Sequence, residues 1–270
     1  MNWICLSKNG EDEYIDMFAR GAGLEPTALE TWNYEDSMDP LILRGIMKHK
    51  IIKRCWQDKR LFWYMDSGYL GNRPSIKNPY GWKHWHRIVP NDLQHDQIIP
   101  RPADRLQRLE LYMRPYHQHS RDILIVAPDH KPCAFYGFEL DDWLTNVKNE
   151  LQMYTDRPVK IRERPASRMD RKTQRAEDWL ADVHAVVTFN STAATEAILA
   201  GVPVFTTAPC NAANPMSNHD LSKIEEPWFP TDDQRHAWLC HLAYGQFHID
   251  EFKNGMAYRI LKQTQEMING

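Results

Sequence analysis

Short apolar runs alternate with mixed stretches along the second half of the chain. Residues 122–128, Asp-Ile-Leu-Ile-Val-Ala-Pro, predict a buried strand. Residues 140–154 carry Trp143, Leu144, Val147 and Leu151 at helical spacing. A strand is expected at 158–165 and a helix at 173–183. The segment 185–207 then reads as strand, polar turn, helix and strand. Its turn is Asn190-Ser191-Thr192, its helix spans about 193–200, and its second strand is 204–206. Gly201 suits the left-handed residue after a helix, and Pro203 forbids continuation. The order β-α-β-α-β-α-β predicts a parallel sheet with helices on both faces. Residues 209–220 form a long polar loop, 220–225 a short helical turn, and 232–244 and 251–265 terminal helices.

The first half gives a similar but less regular pattern. Residues 3–6 predict a strand and 11–20 an amphipathic helix with Tyr14, Ile15, Met17 and Phe18. A second strand is expected at 28–32. Asp39-Pro40 opens a helix with Leu41, Leu43, Ile46, Met47, Ile51 and Ile52 on one side. Residues 61–65 predict a buried strand. Turn signals at Asn72-Arg-Pro, Asn78-Pro-Tyr-Gly and Val89-Pro-Asn-Asp frame a long aromatic loop, Trp82-Lys-His-Trp-His-Arg-Ile88. Residues 101–108 read as a basic surface segment and 109–120 as a linker. The class is α/β, with Rossmann-like domains at 1–118 and 119–250 and a terminal helix, 251–270, packing back on the body.

Composition narrows the function. Of the 270 residues 42% are hydrophobic, which fills a core, and the ten Trp leave aromatics for a site. Net charge of −3 provides no global field to draw nucleic acid or anionic lipid. The five Cys, at 5, 55, 133, 210 and 240, show no metal-ligand spacing. Neither a secretory leader nor a run of roughly 18 apolar residues is seen, so a cytoplasmic protein is expected.

Three strand-end loops are expected to converge in the second half: 127–131 with Asp129 and His130, 162–168 with Arg162 and Arg164, and Asn190-Ser191-Thr192. Hydroxyls at a helix N-terminus beside two guanidinium forks suit a phosphate; the same hydroxyls also suit a plain helix cap. Glu196, one helical turn on, is a candidate for a ribose hydroxyl, and Asn214 and His219 sit on the following polar loop. Neither GxGxxG nor GxxxxGK[ST] occurs. Asp66, at a strand end, and His84 and His86 are candidates for a catalytic base. His84 and His86 lack a third ligand, so no metal is expected. The basic run 44–60, with Lys48 and Lys53, and the loop residues Trp82, Trp85 and Arg87 could hold an acceptor; such a run also suits a solvated helix face.

The stretch Val187-Thr-Phe-Asn-Ser-Thr-Ala-Ala-Thr-Glu-Ala-Ile-Leu-Ala-Gly-Val-Pro-Val204 resembles the donor-domain motif of GT-B glycosyltransferases, in the group of capsular-polysaccharide, sialic-acid and Kdo transferases. Ser191-Thr192 matches that group's Ser/Thr motif, while Arg164-Pro165 stands where its His-Pro pair would be. Residues 214–227 resemble a segment of bacteriophage glycosyltransferases. The resemblance covers roughly 122–259. It implies two Rossmann-like domains facing each other across a cleft, and a nucleotide-sugar, UDP- or CMP-linked, held by the second without metal or other cofactor. It also implies an acceptor on the first domain. A hydroxymethylated pyrimidine in phage double-stranded DNA, in the host cytoplasm, is the acceptor expected. A cell-surface glycan or small molecule is the alternative, and a non-catalytic nucleotide- or nucleic-acid-binding module the reading from another class.

Overall fold

The structure, a computed structural model, describes residues 2–8, 12–71, 81–116, 120–162 and 176–269. The chain forms two α/β units, 1–93 with 245–270, and 94–244. The first boundary therefore falls at 93/94 rather than 118/119, and residues 245–250 belong with the first unit.

In the first unit, β1 (Ile4–Ser7) leads to α1 (Glu13–Gly21) and β2 (Pro26–Ala28). Next come β3 (Leu41–Arg44), α2 (His49–Gln57) and β4 (Phe62–Ser67). The expected helix from Pro40 is thus a strand followed by a helix. Leu41, Ile42 and Leu43 are all fully buried, which a helix face cannot do for three consecutive residues but a central strand covered on both faces can. Gly45 at φ +86° then separates strand from helix. The expected aromatic loop is instead α3 (Gly81–His84) and β5 (Trp85–Pro90), antiparallel to β4.

In the second unit, α4 (Asp104–Gln107) precedes β6 (Asp122–Val126), α5 (His130–Tyr136) and α6 (Leu140–Gln152). Strand β7 (Val159–Arg162), α7 (Ala176–Leu180), β8 (Val183–Thr188), α8 (Ala193–Leu199), β9 (Val204–Thr206) and α9 (Asp232–Tyr244) follow. The expected surface segment 101–108 holds a buried residue: Arg105 is 7% exposed and its Nε donates to the Ala243 carbonyl at 2.9 Å. The chain then returns to the first unit through β10 (Gln246–His248), α10 (Ile249–Lys253) and α11 (Met256–Asn269). The expected helix 251–265 is divided at Gly255, φ +71°.

The first sheet has six strands in the order β10-β5-β4-β3-β1-β2, parallel from β4 to β2 and antiparallel beyond. Helices α1, α10 and α11 cover one face through Ile15, Phe18, Phe252, Ala257 and Leu261 against Ile42, Trp63, Met65 and Phe247. The second sheet is β7-β6-β8-β9, all parallel. Helix α6 covers one face, with Val147 and Leu151 against Ile123, Ile125, Ala185, Val187 and Phe205. The alternate residues Leu124, Val126, Val186 and Val204 are buried too, so both faces are covered, as a parallel sheet requires.

Candidate functional site

The register of the second sheet aligns Arg162, Val126, Thr188 and Thr206 in one row at the carboxyl ends. Parallel strands bring their following loops to one edge, where open α/β sheets bind ligands. This edge carries Asp129 and His130 after β6, Arg162 at the end of β7, Asn190-Ser191-Thr192 after β8, and Thr207 after β9.

The loops after β8 and β9 are held from below. The Thr188 hydroxyl donates to the Val126 carbonyl at 2.9 Å. Gln94, 4% exposed, donates from Nε2 to the Asn190 carbonyl at 3.0 Å and accepts from the Ala212 amide at 3.0 Å. Asn211, 1% exposed, donates to the Phe189 carbonyl at 3.2 Å and accepts from the Ala213 amide at 2.9 Å. Two buried amides therefore tie the turn after β8 to the loop after β9. Neither carries a sequence signal, because a polar residue in a loop predicts exposure.

The predicted donor residues differ in what they have left to offer. Just before α8, Ser191 Oγ accepts from the Ala193 amide at 3.2 Å. Asp129 caps α5, accepting from the His130 amide at 2.8 Å, and its Oδ1 meets His130 Nδ1 at 2.6 Å. The His130 side chain is otherwise exposed. The Arg162 guanidinium lies over the Trp179 ring, 4.4 Å from its centre. His219 is held by its own loop: Nε2 is 3.2 Å from the Asn214 carbonyl and Nδ1 is 3.1 Å from Thr206 Oγ1. Glu196 is half-buried on α8, beside five buried residues of that helix. Arg164 lies outside the described residues.

Phe189 anchors an aromatic group at the same edge. Tyr136, Phe138 and Trp143 surround it, with ring centres 5.1, 4.7 and 6.4 Å away. Trp143 also donates from Nε1 to Thr207 Oγ1 at 3.0 Å. Its helical spacing marks Trp143 as core; the polar tip bonded to a strand-end residue puts it at the edge.

In the first unit Asp66 and Arg87 face each other across β4 and β5. Asp66 Oδ2 accepts from the Tyr64 hydroxyl at 2.7 Å and from Arg87 Nη2 at 3.4 Å, and Oδ1 accepts from the Ser67 amide at 2.7 Å. Burial pushes the carboxyl up, but the Arg87 guanidinium, the Tyr64 hydroxyl and the Ser67 amide outweigh it and hold the pKa below the ordinary value. Arg87 also donates to the Ser67 carbonyl at 2.7 Å and the Leu93 carbonyl at 3.3 Å. It is 7% exposed and so holds local structure rather than presenting an open cation.

His86 is not an exposed base. It is 2% exposed, packed on Tyr14 and Phe252, with Nε2 3.1 Å from the Lys83 carbonyl. Burial pushes its pKa down to about 4. The alternation of β5 turns it to the core, a constraint invisible when the segment is read as a loop. His84 and Trp85 are half-buried and gather on His248, with ring centres 5.3 Å away in each case. The side chain of Trp82 is not among those described.

The basic run 44–60 is largely committed inside the unit. Arg44 pairs with Asp12 at 3.6 Å, and Arg54 pairs with Glu35 and Asp58. Arg60, 3% exposed, donates to the Asp39 and Tyr34 carbonyls. Lys48 donates to the Arg44 carbonyl at 2.7 Å, and burial lowers its pKa. Lys53 is exposed.

No helix of the described residues is long and apolar enough to cross a membrane. No family model matches the chain, and no curated protein matches it. Among solved structures, the beta Kdo 2,7 transferase of Thermosulfurimonas dismutans KpsC is similar over 96% of this chain and 99% of its own, with TM-score 0.48 and 10% identity. The beta Kdo 2,4 transferase of the same protein is similar over 88% and 98%, with TM-score 0.45 and 9% identity.

Proposed function

We propose that the chain is a glycosyltransferase that takes a nucleotide-sugar at the carboxyl edge of its second sheet. The observation that carries this reading is the row Arg162, Val126, Thr188, Thr206, which brings four strand ends to one edge of a parallel sheet. A guanidinium fork over Trp179 and the hydroxyls of Ser191 and Thr192 fit the leaving phosphate or diphosphate. The stabilisation is electrostatic and asks for no metal. UDP- and CMP-linked sugars are the donors to try first, because the motif around Ser191-Thr192 resembles enzymes that use such donors. Asp66 is the residue to accept the acceptor's proton: it starts ionised, whereas buried His86 does not reach a substrate.

The finer reading of the acceptor is a hydroxymethylated pyrimidine in double-stranded DNA. It rests on the likeness of residues 214–227 to phage glycosyltransferases, and draws on exposed Lys50, Lys53 and Lys59 for phosphate contacts. A cell-surface glycan or small molecule is the competing acceptor. A panel of nucleotide-sugars tests the donor reading by thermal shift and by nucleotide release. One donor should raise the melting temperature and be turned over. Arg162→Ala should weaken its binding about 10- to 100-fold, as loss of a charge-assisted hydrogen bond implies. Stabilisation without turnover would leave a binding module, and no response to any donor would end the proposal. Hydroxymethylated duplex, plain duplex and oligosaccharide acceptors then separate the acceptors.

A further inference from the structure

The edge of the second unit holds a shallow cavity of about 390 Å³, lined by Gly137, Phe138, Glu139, Asp142, Trp143 and Asn146. Its size is at the small end of ligand sites, about 300–1,000 Å³. Phe138 and Trp143 are half-buried, while Glu139, Asp142 and Asn146 are exposed. The two rings are fixed from behind. Both pack on Phe189, and Trp143 is further held by its bond to Thr207. Gly137, left-handed at φ +78°, ends α5 and turns the chain where Phe138 and Glu139 join the lining of the cavity.

An aromatic floor with a rim of carboxylates and an amide has a definite chemical preference. The C–H face of a pyranose is apolar and packs on a ring, while its hydroxyls donate to carboxylate and amide oxygens around the edge. Two carboxylates with no cation among the lining residues repel an anion and tolerate an amine. We propose that this cavity is a saccharide-binding site for a pyranose that is neutral or carries an amine, and that it discriminates against one carrying a carboxylate. The site needs no turnover and no nucleotide, so it stands or falls separately from the transferase reading.

The test uses the full chain and NMR of the Trp143 indole N–H, assigned by its disappearance in Trp143→Phe. Glucose, glucosamine and glucuronate are titrated in turn, with saturation transfer to the sugar as a second readout. Glucose and glucosamine should shift the signal saturably. Glucuronate should bind roughly tenfold more weakly, about 1.4 kcal/mol of repulsion from the two rim carboxylates together. The double variant Glu139→Gln with Asp142→Asn should admit glucuronate while keeping glucose, and its two exposed positions leave the fold intact. No shift with glucose or glucosamine, or equal binding of glucose and glucuronate by the unaltered protein, would overturn the proposal. Because the readout is binding, a failed donor panel would leave it standing, and its own failure would leave the donor reading untouched.

Discussion

His86 and His241 are imidazoles kept neutral by burial, one in each unit. His241 is 3% exposed, and its pKa, like that of His86, is pushed down from about 6.5 to about 4, by burial first and then, for His241, by the Arg101 charge. The unfolded chain therefore binds protons that the folded chain refuses. Stability is complete above about pH 6.5 and falls as pH drops towards 4, by up to about 3 kcal/mol for each ring. Urea midpoints followed from pH 7 to pH 4 should fall across that window, and a flat profile would contradict the burial of both rings. Asp66 behaves oppositely at the same scale: its pairing with Arg87 keeps it charged at neutral pH. Asp66→Asn should abolish sugar transfer and leave donor binding unchanged, measured as turnover beside a thermal shift with the donor. Retained turnover would remove Asp66 as the base. The strand end marks Asp66 in the sequence; its clamp by Tyr64 and Arg87 is not marked, because those partners meet only once β4 and β5 pair.

Helix α8 is short, and its position is set by what surrounds its end. Gly201 follows it at φ +78°, and a β-carbon there would lie 2.0 Å from the Pro115 carbonyl oxygen. Buried Arg235 donates to the Ile198 carbonyl at 3.2 Å and to the Arg114 carbonyl at 2.8 Å, closing the helix end against the segment that precedes β6. Gly201→Ala should cost several kcal/mol, since backbone strain adds to a clash with main chain that cannot rotate away. Calorimetry should show a large fall in melting temperature, and an unchanged transition would refute the close approach. The pattern of residues 185–207 made this element legible: two buried runs, a polar turn, Gly and Pro in the right places. Residues 39–54 were misleading for a definite reason. Leu41, Leu43, Ile46 and Met47 match helical spacing, yet Ile42 between them is also fully buried, between β1 and β4.

At the scale of the whole molecule, the chain leaves the first unit at residue 93 and comes back at 245 to complete it. Gln246, fully buried on the returning strand, accepts from the Tyr69 and Leu70 amides at 2.8 Å each and donates to the Leu70 carbonyl at 2.9 Å. Phe247, Phe252, Ala257 and Leu261 are part of the core under α1. Removal of residues 245–270 should therefore unfold the first unit and spare the second. Hydrogen exchange read by mass spectrometry should show β1, β3 and β4 losing protection while β6 and β8 keep theirs. Equal loss in both units would refute this division of the core.

The sequence by itself determines the α/β class, the parallel sheet of the second unit and the turn at Asn190-Ser191-Thr192. These depend on local periodicity and on Gly and Pro chemistry, which act over a few residues. Tertiary structure alone decides that His86 faces the core, that most of the basic run is spent on internal partners, and that Gln94 and Asn211 tie the turn after β8 to the loop after β9. It also decides that the last 26 residues finish a sheet begun at residue 4. Those outcomes depend on partners distant in sequence, and neither periodicity nor spacing carries information about which distant group will be adjacent.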